Sequence, residues 1–205
     1  MIKIAITGGI GSGKSTAVAA LKQLGYKCES ADEVYRELLR NENFVENLSE
    51  YMGVKPLCVD GKKTLDKKAL SEKVFSDVNE LKKLNEYTHP AIMDVLLRKM
   101  KWYPDEVVFA EVPVLFERGY ENLFDYVIII TKELQSRVEK TMLRDGKTED
   151  DVKKVIEMQF DYGKIEPRDN FFVVKNDGSV EDLKNKMVEV IEEIIKKREK
   201  KVSND

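Results

Sequence analysis

Gly8-Gly-Ile-Gly-Ser-Gly-Lys-Ser-Thr16 is the stretch whose reading decides the fold. Gly8, Gly13, Lys14 and Ser15 occupy the fixed positions of a phosphate-binding loop: glycine, four residues, then Gly-Lys-Ser. The apolar run Ile2-Lys-Ile-Ala-Ile6 precedes the loop, and Ala17-Val-Ala-Ala-Leu21 follows at helical density. Strand, glycine loop and helix are the context this spacing needs before it carries meaning. Such a loop turns its backbone N–H groups into one concavity, at a helix start whose dipole also favours an anion. Lys14 is placed to reach the β- and γ-phosphates of a nucleoside triphosphate, and Ser15 to offer its hydroxyl to Mg²⁺.

The rest of the chain bounds what the loop can serve. Its 205 residues suffice for one sizeable α/β domain with inserted subdomains. Charged residues make up 36%, but 35 basic against 38 acidic side chains leave a net charge of only −3. That balance argues against a nucleic-acid partner held by bulk electrostatics, and the charge density suits a thermophilic source. Cys28 and Cys58 form no metal-ligand spacing and read as reduced thiols. No apolar run approaches the roughly 20 residues of a membrane span, and the loop's strand begins at the N-terminus. A cytoplasmic protein with no membrane partner is expected, as a monomer or weak homo-oligomer.

Beyond the first helix, Gly25 is a stop signal and Tyr26-Lys-Cys-Glu29 reads as a second strand. Ser30-Ala-Asp32 then lies where that strand should end, the place where open α/β sheets bind ligands. Asp32 reads either as a carboxylate facing the phosphates or as the N-cap of a helix beginning at Glu33; one residue can serve both roles. Residues 33–101 read as helical without a convincing strand. A loop is expected over 54–64, with Asp60-Gly61 as its turn, and a long helix over Asn79–Met100 broken or bent at His89-Pro90. This insertion reads as a substrate-holding subdomain.

The core resumes with the buried strand Val107–Pro113. Its charged member, Glu111, stands near the carboxyl end, where a carboxylate can serve Mg²⁺ or its water shell. Asp125–Ile130 and Phe171–Val174 are further strands, and a last helix runs over about 180–199. Between these two strands, Arg137, Lys140 and Arg144 fall three and four apart on one helix face, and Gly146 breaks that helix. A basic helical hairpin placed so late reads as a lid over the phosphates.

Several of these segments together resemble the dephospho-coenzyme A kinase family, over nearly the whole chain. Ile6–Thr16 is similar to the family's opening, and Ser30-Ala-Asp32 resembles its Asp-Ala-Asp, with Ser30 the departure. Asp60-Gly61, Leu65-Asp66, Leu70 and Val74-Phe75 follow its middle segment, with Lys67 where an arginine is usual. His89-Pro90-Ala-Ile92, Pro113-Val-Leu-Phe-Glu117, Arg144-Asp145 and Asn176-Asp-Gly178 resemble its remaining motifs. Lys140 stands where the lid has an arginine, which keeps the charge but loses the planar fork. Pro167-Arg168-Asp169 replaces the usual approach to the last strand.

The resemblance implies transfer of the ATP γ-phosphoryl to the ribose 3′-hydroxyl of dephospho-coenzyme A, an alcohol acceptor, in the last step of coenzyme A biosynthesis. The fold it implies is three-layered α/β: a P-loop kinase with a five-stranded, mostly parallel sheet, a helical acceptor-binding insertion and a helical lid. The nucleotide core would comprise about 1–30, 105–135 and 165–205, the acceptor subdomain about 31–104, and the lid about 136–164. Gly11, Ser12, Gly13, Lys14, Ser15 and Thr16 would hold ATP, with Asn176 at the adenine. Mg²⁺ would sit on Ser15, with Glu111 near it through water. Asp32 would orient the acceptor hydroxyl and take its proton, Arg144 and Lys140 would act on the phosphates, and His89 and Arg137 would contact the acceptor. Shikimate and nucleoside monophosphate kinases share the loop and the carboxylate after the second strand. The His-Pro, Pro-Val-Leu-Phe-Glu and Asn-Asp-Gly motifs favour dephospho-coenzyme A over them. A switch GTPase would need Asn-Lys-x-Asp and Asp-x-x-Gly, and neither occurs.

Overall fold

A computed structural model describes residues 1–202, with side chains described through residue 200. Five strands form the main sheet: β1 (Ile2–Thr7), β2 (Lys27–Ser30), β5 (Val107–Glu111), β6 (Tyr126–Thr131) and β7 (Phe171–Lys175). Their spatial order is β2-β5-β1-β6-β7. β1 pairs in parallel with β5 and with β6, and β6 in parallel with β7. Near-continuous apolar runs make this possible, because a parallel sheet is covered on both faces and has no solvated side to alternate toward. Ile128, Ile129 and Ile130 are fully buried in consecutive positions of β6.

Helices lie on both sides of the sheet. On one side, Ala17, Val18 and Leu21 of α1 (Lys14–Gln23) share a core with Leu183, Met187, Ile191 and Ile194 of α8 (Val180–Val202) and with the inward residues of β1 and β6. No helix among the described residues is long and apolar enough to cross a membrane.

The chain divides into two compact units, one of residues 1–28 with 103 onward, the other Glu29–Trp102. The second unit contains α2 (Ala31–Leu38), α3 (Glu42–Met52), α4 (Lys67–Ser76) and α5 (Val78–Trp102). Val45, Leu48, Met52, Leu65 and Leu70 make its core. Residues 54–64 are not a plain loop. β3 (Leu57–Val59) and β4 (Lys62–Thr64) pair antiparallel, joined by Asp60 at φ +50° and Gly61 at φ +76°. Two left-handed residues in a row make the turn whose twist matches that of the flanking strands.

α5 likewise runs as one helix through Pro90, so of the expected break or bend at His89-Pro90 the break is absent. Glu86, whose carbonyl loses its donor to the proline, is on the exposed side, as is Pro90, so water can satisfy that carbonyl. Asp32 is not an N-cap. β2 runs on to Ser30, which takes the cap position in extended conformation, and Asp32 falls in the first turn of α2.

One ammonium fixes both ends of the segment that carries Asp32. Lys99 of α5 lies 3.1 Å from the buried Glu29 carboxylate and 2.9 Å from Glu37. Burial alone would pull Lys99 below its ordinary pKa, but the hydrogen bonds to Glu37 and Glu29 outweigh it and the net shift is upward. Lys99→Met leaves the Glu29 carboxylate buried without its ammonium. Urea unfolding should show a loss of about 2 kcal/mol, between the values for exposed and for fully buried pairs. Because Lys99 is raised, its contribution is complete below the unfolded lysine pKa and disappears as pH rises through the higher folded value. The parent and variant stability curves should therefore converge only in strong alkali.

Candidate active site

The phosphate loop links the end of β1 to α1 as the spacing predicts. Gly13 caps α1 in the left-handed region at φ 97°, and no side chain caps that end. The orphan N–H groups of the first turn are therefore left for an anion. The Lys14 ammonium folds back over the loop, donating to the carbonyls of Gly8 at 2.7 Å and Gly9 at 3.1 Å. Ser15 is exposed, Thr16 half-buried, and Ser12 buried with its hydroxyl unpaired. An unpaired buried hydroxyl beside such a loop is a polar group waiting for an acceptor.

The loop is braced from outside. Asn176, buried just after β7, donates its side-chain amide to the Ser12 carbonyl at 2.8 Å. A Cβ on Gly13 would collide with that amide nitrogen. Asn176 thus holds the loop's shape, a contact that the expected adenine role did not include. Its own carbonyl accepts from the Lys132 ammonium at 2.6 Å.

Lid residues complete the enclosure. α6 (Leu134–Asp145) and α7 (Glu149–Glu157) form the expected helical hairpin, with Gly146 ending α6 in the left-handed conformation and Thr148 capping α7. Arg137 of α6 is brought to the loop: its Nε donates to the Ile10 carbonyl at 2.9 Å, and its guanidinium lies against Gly9, where a Cβ would displace it. Gln159, just past α7, accepts from the Ile10 N–H at 2.8 Å, so one loop residue is held by α6 on its carbonyl and by the segment after α7 on its N–H. Burial pulls the Arg137 guanidinium below its ordinary range, yet an arginine stays charged.

Arg144 behaves differently. It is exposed and turns Nε and one terminal nitrogen onto the Asp145 carboxylate, at 2.7 and 2.9 Å, which raises its pKa. Lys140 lies close enough to Lys132 to lower the pKa of the latter, after burial as the first cause. His89 is half-buried midway along α5, and Glu111 half-buried at the end of β5 in register with Ile6.

A cleft of ≈ 410 Å³ opens on the loop, lined by Gly9, Ser12, Thr131, Lys132, Arg137 and Tyr162 among others. Lys132, Gln159 and Tyr162 were not singled out from sequence. For Lys132 the signal was available: it directly follows the carboxyl end of β6, where parallel sheets place ligands. Tyr162 stands with Phe116 and Phe160 in an aromatic cluster, its hydroxyl 3.3 Å from Thr7 Oγ1 and 3.5 Å from the Pro113 carbonyl. Burial raises its pKa from 10.0 to about 12. This cleft gathers cations, amide donors and a neutral phenol around a phosphate loop.

A family model for dephospho-CoA kinase matches residues 2–182. The chain belongs to the dephospho-CoA kinase family. It is 34% identical over 200 residues to a Corynebacterium glutamicum dephospho-CoA kinase, covering 95% of this chain and 98% of that one. Its fold is similar to the crystal structure of TT1252 from Thermus thermophilus, with TM-score 0.77 and 33% identity over 94% of this chain and 97% of that one. A dephospho-CoA kinase structure from Campylobacter jejuni gives TM-score 0.66 and 30% identity, over 96% of this chain and 98% of that one.

Two variants check the geometry. Gly13→Ala puts a methyl against Asn176 at a left-handed position, and ATP affinity, read by titration, should fall by about 10-fold or more at a cost above 1.4 kcal/mol. For Tyr162, the sign is that of an acid favoured neutral in the fold: stability is whole below pH 10.0 and is lost as pH rises toward about 12. Ultraviolet titration of the parent minus Tyr162→Phe should show one phenol ionising near 12 rather than with the exposed tyrosines.

Proposed function

We propose that this chain transfers the γ-phosphoryl of ATP to the ribose 3′-hydroxyl of dephospho-CoA, giving CoA and ADP in the final step of CoA biosynthesis. The observation that carries the reading is the family match along nearly the full chain, joined to a helix N-terminus left uncapped behind an intact phosphate loop.

Phosphoryl transfer asks mainly for positioning and for charge opposite the transferring oxygens. The N–H groups of Gly11, Ser12, Gly13, Lys14, Ser15 and Thr16 would receive the ATP phosphates, and Lys14 would exchange the Gly8 and Gly9 carbonyls for phosphate oxygens. Asn176 keeps that loop in shape, and in this reading the turn that follows it borders the adenine. Asp32 is exposed in the first turn of α2, free to accept a hydrogen bond from the acceptor hydroxyl and then its proton. Arg137, with Lys140, would neutralise the phosphates from the lid side. Arg144 would leave Asp145 for the phosphates as the lid settles, a small loss because the pair is exposed. His89 and Arg137 remain the contacts assigned to the acceptor.

Mg²⁺ fits these residues. No group of three or more His, Cys, Asp or Glu side chains is gathered among the described residues. Mg²⁺ characteristically arrives with substrate phosphates and keeps much of its water, so a hydroxyl and one carboxylate suffice. The exposed Ser15 hydroxyl and Glu111, through water, would complete its shell. When bound, the ion would supply charge neutralisation at the phosphates. We also assign a cytoplasmic location and a monomer or weak homo-oligomer, without nucleic-acid or membrane partners.

An ADP-release assay across dephospho-CoA, shikimate, adenosine and nucleoside monophosphates tests the substrate. Turnover should be confined largely to dephospho-CoA, and turnover restricted to another acceptor would refute it. Asp32→Asn should keep ATP affinity within about twofold and lower kcat by roughly 10²–10⁴, the range for a lost general base. In Lys14→Ala, both affinity and rate should fall; an unchanged ATP dissociation constant would remove the loop from the mechanism.

A further inference from the structure

The segment Pro113–Glu117 takes no part in the chemistry above, yet the structure joins it to the phosphate cleft. Phe116 stacks on Phe160, with ring centres 5.0 Å apart and 25° between the planes. It meets Tyr162 and Phe171 edge-on at 6.1 and 5.5 Å, and Phe160 meets Tyr162 edge-on at 5.6 Å. Stacked and edge-to-face contacts are the arrangements aromatic rings favour. The neighbouring Glu117 carboxylate accepts from the Phe160 N–H at 3.2 Å. Phe116 and Glu117 thus grip the stretch that returns from α7, by ring and by backbone.

That stretch lines the cleft: Phe160 and Tyr162 are part of its wall, whereas Phe116 and Glu117 stand behind it. The Tyr162 hydroxyl lies 3.3 Å from Thr7 Oγ1, donates to the Pro113 carbonyl at 3.5 Å and accepts from the Gly8 N–H. Thr7 ends β1 and Gly8 opens the phosphate loop, and the Gly8 carbonyl holds the Lys14 ammonium at 2.7 Å. One residue therefore carries the phenol on its N–H and, on its carbonyl, the cation meant for the phosphates. With burial raising its pKa to about 12, the phenol bears no charge at neutral pH, so nothing there repels a phosphate.

We propose that Tyr162, held by Phe116 and Glu117, is a positioning residue that closes the loop end of the cleft to water. Its ring thereby sets the ratio of phosphoryl transfer to ATP hydrolysis. The inference rests on the kinase reading above and deepens it, by naming what keeps the γ-phosphoryl for its alcohol acceptor. In transfer, the ribose 3′ oxygen bonds to the γ-phosphorus, the bond to the ADP oxygen breaks with its electron pair, and the hydroxyl proton passes to Asp32. In hydrolysis the attacking oxygen is that of water, and the products are ADP, phosphate and a proton. Position and access decide between two such similar nucleophiles.

Tyr162→Ala and Tyr162→Phe in the intact chain test the seal, with phosphate and CoA both quantified during turnover of ATP and dephospho-CoA. The ratio of phosphate to CoA should rise about 10-fold or more in Tyr162→Ala, which removes the ring, and stay within about twofold of the parent in Tyr162→Phe, which keeps it. Phe116→Ala, which changes no residue of the cleft wall, should raise the ratio by a smaller factor through the loosened grip on Phe160 and Tyr162. Tyr162→Leu, of intermediate volume, should give an intermediate ratio and replaces the alanine variant if that one does not fold. A ratio unchanged in Tyr162→Ala overturns the seal whatever the loss of overall rate. So does an equal rise in Tyr162→Phe, which would place the effect in the hydroxyl's bonds and not in the ring. An unchanged ratio in Phe116→Ala removes the grip from the proposal. A parent that forms no CoA at all would instead overturn the kinase reading itself.

Discussion

The hydrogen bond from the Asn176 amide to the Ser12 carbonyl, 164 residues apart in sequence, is the contact on which the site's geometry turns. A phosphate loop works only if its N–H groups point inward, and its carbonyls must then point outward and be satisfied there. Ser12's carbonyl finds Asn176, Ile10's finds Arg137, and those of Gly8 and Gly9 are met by Lys14. Every one of these outward bonds comes from a donor that can tolerate a neighbouring phosphate. The end of β7, the first helix of the lid and the loop's own lysine are thereby tied to one nine-residue segment.

That arrangement divides the labour among the cations. Arg137 and Lys132 are committed to carbonyls and hold position before any nucleotide arrives. Arg144 is paired only with its sequence neighbour at the surface, where the attraction is weak and easily exchanged. Lys140 raises the local positive charge beside Lys132 without a fork of its own. A site built this way has a fixed inner layer of charge and an exchangeable outer one, which suits a reaction that must both bind and release a highly charged product.

Much of this was legible from residues alone, and the reasons for what was not are local. The loop, the parallel core strands and the lid hairpin follow from spacing and hydrophobic runs, signals that survive without tertiary information. Asp32 was read as a possible cap because the strand before it was ended at Glu29; one more strand residue moves the cap to Ser30. The β3–β4 hairpin escaped because its strands are short and almost wholly exposed, leaving no burial pattern beyond the Asp60-Gly61 turn. Pro90 looked like a break because the expectation weighed the lost hydrogen bond and not where it falls; on the solvent side of a long helix the loss is small. Gln159 and Tyr162 could not be found by spacing, since their roles come from contacts about 150 residues back in the chain.

In the proposed reaction Asp32 would need a defined direction, because accepting a hydrogen bond from an alcohol is a matter of reach. Its helix has only eight residues, too few to hold direction through helix propensity. Val34 anchors the inner face by complete burial, and Lys99 grips the chain on either side, at Glu29 before the helix and Glu37 in its last turn. A single buried ion pair seldom adds much net stability, but one ammonium shared by two carboxylates that bracket a helix constrains its rotation. With that rotation set, the exposed side of α2 presents Asp32 and, one turn on, Arg36. The part-buried ammonium of Lys99, which holds Glu29 and Glu37, therefore sets the direction in which α2 presents Asp32.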